Sequence, residues 1–467
     1  MSKGPFHMDS FELAINANKT LNEFRLHYMH GFGYPLTVIA AAVSIFFCRL
    51  AGVSDPIFGA NFMSVVFGSL GIGAYYLLAK TLIGRSGAVL SALALCLLPL
   101  HLSISTYAMT HHVSIFFHIL GIYFLFLYFK DQDIHKLIDA GILLGFGTAA
   151  RLSDGMIILP IIILFFVQSH KQYGVFSRTT FSRLGVLLGS YFLLWVVFYL
   201  PMIAQGDFRE VKGLFEIYYH FHSLRQLSLA RKGLLEILGL YGCIFSILGA
   251  FWFIKEKGLR IASFLMVWLA MLFLYHGSLS IFAFRYLLFA IVPLFIFQGY
   301  LFAKFLRVRS LLVKILFVSL ILLNIATGFI EFFPIVYFRH LYNTQEELCN
   351  LIQENTEPDS LIISLDLGYF IKYYTGRKIL GRPTGFNKLD FDKFFDWVDL
   401  LLDKDRSIYI NSSAIISYDP RGYMRKGIVE RYELQSVGKQ VIDSWYKFSS
   451  VRSDLRNEYL FKMKRKK

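Results

Sequence analysis

The stretch "ANFMSVVFGSLGIGAYYLLAKTLIGRSGAVLSALALCLLPLHL" occupies residues 60–102. Its two apolar runs, 61–81 and 87–106, meet at a turn flanked by Lys80 and Arg85. A bilayer core is crossed by roughly 17–25 apolar residues, and short loops rich in Lys and Arg stay on the cytoplasmic side. The stretch therefore reads as a helical hairpin with a cytoplasmic turn. The same kind of run recurs at 112–129, 136–151, 154–168, 184–203, 234–254, 259–275, 284–303 and 311–332. The fold class expected is mainly α: a polytopic helical membrane protein of about ten spans with juxtamembrane helices.

Composition agrees. Only 17% of residues are charged and 56% are hydrophobic, whereas soluble domains carry about 25% charged residues. The net charge of +15 is then a topology signal and not a nucleic-acid footprint. Lys130 and Lys136, then Lys171, Arg178 and Arg183, then Lys255, Lys257 and Arg260, then Lys304, Arg307, Arg309 and Lys314 occupy every second loop. These loops are expected inside, and the alternate ones near 107–111, 204–233 and 276–283 outside. Cys48, Cys96, Cys243 and Cys349 show no metal spacing and no disulfide pattern.

The segment 34–52 is apolar too, but it opens with Gly33-Tyr34-Pro35 and is read as lying in the interface. The polar stretch before it, "PFHMDSFELAINANKT" (5–20), then lies outside with His7, Asp9 and Glu12. No cleavable signal is visible in the first thirty residues, so a helix preceding Asp9 is expected to be missing from this chain. Residues 1–335 form the expected membrane domain, with 1–60 as outer loop and juxtamembrane helices. Residues 336–467 form a small extracytoplasmic α/β domain: "NTQEELCNLIQENTEPDS" (343–360) is a helix capped by Asn343 or Thr344, "SLIISL" (360–365) and "SIYIN" (407–411) are strands, and "FDKFFDWVDLLLDK" (391–404) is an amphipathic helix. The terminal "KMKRKK" is expected to be a solvated or headgroup-contacting tail.

Ionisable residues at membrane depth are function hypotheses by default. Asp9 and Glu12 are three apart and share a helix face. His111 and His112 begin a span, Arg151 and Asp154 sit between two short spans, and His276, Arg285 and Tyr286 flank the loop "HGSLSIFAFRY" (276–286). All fall on the outer side. A carboxylate, imidazoles and guanidiniums at the outer leaflet suit group transfer from a lipid-linked phosphate. The acid takes the proton of an incoming hydroxyl, and the cations hold the departing phosphate. A divalent metal would share the phosphate work, with Asp9, Glu12 and the histidines His111, His112 and His7 as candidate ligands for metal or phosphate. The loop 204–233, with Tyr218, Tyr219, His220, His222 and Arg225, is a candidate cover for the lipid entrance. The rival readings are a glycan polymerase or ligase, and a transporter or flippase of polyprenyl-linked glycans.

The order "MDSFELAINANKT" (8–20), "HGFGYPLTVIAAAVSIFFCRLAG" (30–52) and then 60–102 resembles the opening of the GT-C glycosyltransferases, which include the protein O-mannosyltransferases and the lipid A aminoarabinose transferase. It is most similar to the family with an Asp-Ser-Gly-Glu motif followed by Pro-Gly-Tyr-Pro. Asp9-Ser10-Phe11-Glu12 and Phe32-Gly33-Tyr34-Pro35 stand at those places, "GILLGFGTAARLSDGMIILP" (141–160) looks like the paired short helices, and "FRYLLFAIVPLF" (284–295) like the Arg-Tyr-Leu-Leu-Pro segment. Phe11 departs from the motif's Gly, and His111-His112 replaces an acid before the fourth helix. The resemblance covers roughly residues 5–300. It implies a polyprenyl-phosphate sugar donor, and an acceptor glycan, lipid or protein. Asp9 would be the catalytic base, with Glu12 orienting it or binding a metal. Arg285, with Arg151, His276 and Tyr286, would hold the donor phosphate, and displacement would invert the anomeric centre. The enzyme would be a multi-pass integral membrane protein with its site on the extracytoplasmic side, in the plasma (inner) membrane if the organism is prokaryotic.

Overall fold

The computed structural model describes residues 1–4, 7–29, 34–174, 177–204, 224–279, 283–364, 368–383, 388–416, 421–440 and 458–466. The chain forms two compact units. One holds Met1 and Glu12–Val336, and the other holds Ser2–Phe11 and Tyr337–Lys467.

In the first unit the runs of 60–102 join into one helical path. After α1 (Met8–Glu23) and α2 (Pro35–Leu50), α3 (Pro56–Cys96) runs 41 residues and bends at Gly84, whose φ of 78° and ψ of 172° leave the helical region. Glycine takes that conformation without a Cβ penalty, so two helices meet at Gly84, between Lys80 and Arg85 where the sequence places the turn. There follow α4 (Pro99–Ser105), α5 (His111–Asp131), α6 (Ile134–Ala150), a 3₁₀ turn (Leu152–Ile157), α7 (Ile158–Tyr173), α8 (Arg178–Ala204), α9 (Leu224–Lys257), α10 (Leu259–Ser278), a second 3₁₀ turn (Phe284–Leu287), α11 (Val292–Leu306) and α12 (Leu311–Leu341). Every apolar run expected from the sequence lies on this series. Six described helices are long and apolar enough to cross a membrane: Pro56–Cys96, His111–Asp131, Leu152–Ser169, Arg178–Ala204, Gln226–Lys257 and Leu259–Ser278. α2, with 16 residues, is about 24 Å long and falls short of a bilayer core of about 30 Å.

Packing follows membrane rules. Trp268 and Leu265 are fully buried, while Ile247 is 70% and Leu312 is 78% exposed on the outer surface. Helices approach through small residues: a Cβ on Gly145 of α6 would sit 2.7 Å from the Tyr191 carbonyl oxygen of α8.

The second unit carries a five-stranded sheet of order β2-β1-β3-β5-β4, built from β1 (Leu361–Ser364), β2 (Lys378–Gly381), β3 (Ile408–Asn411), β4 (Tyr432–Gln440) and β5 (Glu458–Arg465). β1 is parallel to β2 and β3, and β5 is antiparallel to β3 and β4. Its helices are α13 (Thr344–Asn355), α14 (Gly368–Thr375), α15 (Lys388–Leu402), α16 (Ser412–Ile416) and α17 (Tyr423–Arg431). The Asn343 side chain caps α13 by accepting from the Glu346 N–H, as the sequence predicts. Ile363, Ile408 and Ile410 pack with Phe391, Phe395, Val398 and Met463 on one face of the sheet.

Two expectations are corrected here. The basic terminus is not a solvated tail: most of it lies in β5, between β3 and β4, because its alternating Leu460, Lys462 and Lys464 against Phe461, Met463 and Arg465 offer an apolar row to the core. The amino-terminal residues do not all belong with the membrane helices. Ser2–Phe11 fall in the second unit, since Phe11 is buried with its ring 4.7 Å from Phe370 and 5.2 Å from Tyr373, and the Lys3 N–H donates to the Arg339 carbonyl at 2.7 Å. A glycine at position 11 would forgo that anchor.

β5 also supplies a pH-dependent contact. Glu357 accepts from the Tyr409 hydroxyl at 2.7 Å and from Lys462 Nζ at 3.0 Å. Chiefly the Tyr409 hydrogen bond, with help from Lys462, holds its carboxyl at about 2, below the ordinary 4.5. A depressed carboxyl contributes stability that is complete above its unfolded value and is lost as pH falls toward its folded one. Glu357→Gln is therefore expected to shrink the fall in the second unit's urea midpoint between about pH 4.5 and pH 2 relative to wild type. An unchanged fall would show that this contact is not part of the acid response.

Candidate active site

The site is assembled where four chain segments of the first unit end. The loop before α5 is held by α3: Asn61 Oδ1 accepts the Ala108 N–H at 2.7 Å and Ser64 Oγ accepts the Met109 N–H at 3.0 Å. This sets Thr110 and His111 at the start of α5. α6 ends at Arg151, whose backbone is extended (φ −154°, ψ 104°), and Thr37 Oγ1 of α2 donates to the buried Ala150 carbonyl at 2.9 Å. The 3₁₀ turn that follows places residues three apart on one side, so Asp154 Oδ1 lies 3.2 Å from Arg151 Nε.

Around this pair the polar groups converge. Arg151 Nη1 is 2.7 Å from His111 Nε2 and donates to Thr110 Oγ1 at 3.3 Å. Asp154 Oδ2 accepts from Ser114 Oγ at 2.8 Å, and its Oδ1 is 3.3 Å from His276 Nε2. Tyr286 forms the platform. Its ring has the Arg151 guanidinium at 5.0 Å and that of Arg285 at 5.2 Å. His111 stacks on it at 6.0 Å, and His276 lies at 6.2 Å. Cations over a tyrosine face gain from its quadrupole. Arg151, Asp154, His111 and His276 are all buried. Such charges persist only when paired and hydrogen-bonded.

The polar set continues inward. Ser114 Oγ is 3.1 Å from His118 Nδ1, His118 Nε2 is 3.3 Å from Thr148 Oγ1, and Thr148 Oγ1 is 3.0 Å from the Tyr191 hydroxyl. Gly147 makes room for His118: a Cβ there would be 2.5 Å from Nδ1. The sequence reading passed over Ser114, His118, Thr148 and Tyr191. Ser114 and His118 were findable, because with His111 they stand at i, i+3 and i+7 on one face of an otherwise apolar helix.

The histidine doublet divides. His111 faces Arg151, whereas His112 turns to α4, with Nε2 2.9 Å from Ser105 Oγ and its ring 4.8 Å from His101. Successive helical residues diverge by about 100°, so the pair does not act as one ligand set. Glu12 lies on α1 in the first unit. Asp9 and His7 lie in the second, with Asp9 Oδ2 3.4 Å from His7 Nδ1, which also accepts the Asp9 N–H at 3.1 Å. Tyr218, Tyr219, His220 and His222 fall outside the described residues, as does the Arg225 side chain. Among the described residues no three His, Cys, Asp or Glu side chains gather as a metal site.

The chain combines a core of bent, membrane-length helices with a separate α/β unit. Residues 37–199 match the family model described as dolichyl-phosphate-mannose-protein mannosyltransferase. The chain is similar in structure to ArnT from Cupriavidus metallidurans bound to undecaprenyl phosphate, with a TM-score of 0.60 and 11% identity over 97% of this chain and 93% of that one. It is also similar to the archaeal oligosaccharyltransferase AglB from Archaeoglobus fulgidus in complex with an inhibitory peptide and a dolichol-phosphate, with a TM-score of 0.58 and 14% identity over 88% and 66% of the two chains. An Archaeoglobus fulgidus oligosaccharyltransferase complexed with Zn and sulfate matches with a TM-score of 0.57 and 14% identity over 92% and 68%. A sequence comparison with curated proteins finds no match. These likenesses show a shared fold, the one that the resemblance drawn from the sequence implies.

Proposed function

We propose that this chain transfers a sugar from a polyprenyl-phosphate donor to an acceptor hydroxyl on the extracytoplasmic side of the membrane. The observation that carries the reading is the placing of Arg151 and Arg285 against one ring, Tyr286. Guanidiniums held over an aromatic ring, Arg151 buried and Arg285 half-buried, are preorganised for a phosphate whose charge grows as its bond to the sugar breaks. The ArnT and AglB structures were solved with undecaprenyl phosphate and a dolichol-phosphate, which supports a lipid-phosphate ligand here.

In the step proposed, Asp9 removes the acceptor's hydroxyl proton as that oxygen attacks the anomeric carbon. The bond from the anomeric carbon to phosphate breaks, and its electron pair leaves with the polyprenyl phosphate, held by Arg285 and Arg151. Attack from the opposite face inverts the centre. Glu12 orients Asp9, and His276 holds Asp154 and, with it, Arg151. His111 Nε2 is committed to Arg151 and His112 to Ser105, so no step is derived through a metal.

Transfer from a panel of radiolabelled polyprenyl-phosphate sugars tests the reading. Arg285→Ala is expected to lower kcat/KM about ten- to a hundredfold, the scale of one charge-assisted hydrogen bond, with partial recovery in Arg285→Lys. No transfer from any donor would reject the reading.

A further inference from the structure

We propose that the second unit holds a binding site for a neutral polyhydroxyl ligand, a hexose or glycan residue, at the carboxyl ends of β1 and β3. The chain runs from β1 through α14 to β2 on one side, then through α15 to β3 on the other, giving the order β2-β1-β3. The connections reverse between β1 and β3. In open parallel sheets that reversal opens a crevice beyond the carboxyl ends of the strands, where ligands bind.

Topology alone would not make a site, but the side chains there are incomplete. Ile363 pairs with Ile410 across β1 and β3, so the next row sets Ser364 beside Asn411. Both point to the face opposite Ile363 and Ile410, since strand side chains alternate. Ser364 is 2% and Asn411 0% exposed, yet among the described residues Ser364 Oγ and Asn411 Oδ1 have no hydrogen-bond partner. Orphaned buried polar atoms are uncommon and costly, and they call for a ligand or a water. The amide's orientation is fixed. Asn411 Nδ2 donates to Ser413 Oγ at 2.6 Å and to Glu458 Oε2 at 3.2 Å, and the same carboxylate oxygen takes Ser412 Oγ at 2.9 Å and the Ser413 N–H at 3.2 Å. Oδ1 is thus the atom left over.

The row opens to solvent at its β2 end. Ser364 pairs on its other side with Gly381, an exposed residue where, among the described residues, an added Cβ would meet nothing within 4 Å. The first residue of α14, Gly368, packs on Ile379, with its ideal Cβ 3.0 Å from Ile379 Cγ2 and 4.0 Å from Ser364 Cβ.

The chemistry selects the ligand. Asn411 Oδ1 only accepts, so the ligand must donate to it. Ser364 Oγ does either. The Glu458 carboxylate disfavours an anion, and the positive end of α14 disfavours an ammonium. A pair of adjacent hydroxyls, each able to donate and to accept, meets all of these demands.

Binding is measured on the full-length protein in detergent, without donor lipid, by saturation-transfer difference NMR with methyl hexosides. Asp9→Asn serves as a control that keeps binding, so the result stands apart from the transfer reading. Wild type is expected to bind at least one hexoside saturably, with a Kd of about 0.1–10 mM. Ser364→Ala is expected to weaken that binding about tenfold while leaving the free protein no less stable, because an unsatisfied buried hydroxyl has been removed. Gly381→Val, which fills the open space, is expected to weaken it by a similar factor with an unchanged thermal midpoint. The proposal is overturned if no hexoside binds saturably up to about 100 mM. It is equally overturned if both variants bind as wild type does, or if inorganic phosphate or ammonium binds in place of hexosides.

Discussion

Asp9→Asn is expected to lower the rate of sugar transfer at least about a hundredfold, the lower end of what a positioned general base supplies. Asparagine has the shape of aspartate and serves as well at a helix start, so α1 should form as before. What is lost is the ability to take a proton. Donor affinity should be nearly unchanged, because the proposed phosphate ligands, Arg151 and Arg285, are untouched. The expected signature is therefore a fall in kcat at constant KM for the donor, which marks an interaction made only in the transition state. Single-turnover rates with saturating donor measure it. A variant as active as wild type would remove Asp9 from the mechanism.

Asp154→Ala is the second large effect. The carboxylate is 2% exposed and compensates Arg151, accepts from Ser114 and adjoins His276. Removing it leaves a guanidinium buried without its counter-charge, a change that costs about 3–5 kcal/mol. The expected result is a large fall in thermal or urea stability in detergent, together with loss of transfer. Replacing both partners, Arg151→Met with Asp154→Leu, separates the two roles. A hydrophobic pair of similar volume is often neutral for stability, so the double variant should refold while remaining inactive. Recovery of both stability and activity would show that Arg151 serves packing alone.

Much of the architecture was legible along the chain because it rests on local rules. The apolar runs reappear as helices at the expected places, from α3 to α12. Asn343 was readable as a cap because capping depends on three or four consecutive residues. The candidate cluster was partly legible as well: Arg151, His111, His276, Arg285 and Tyr286 were chosen as ionisable or polar groups beside one boundary of the apolar runs, and they come together in the first unit.

What the sequence determined by itself was the helical membrane class, the order of the helices, and a short list of polar residues too costly to bury without purpose. Only the tertiary structure decided which of these meet. It turned His111 to Arg151 and His112 to Ser105, added Ser114 and His118 to the network, and placed Phe11 against Phe370. It also made the basic terminus a strand between β3 and β4. The physical reason is range. Helix formation and membrane partition act over a turn or a contiguous run of residues. Pairing of a strand, and compensation of a buried charge, depend on partners distant in the chain, and a linear pattern carries no distance between them.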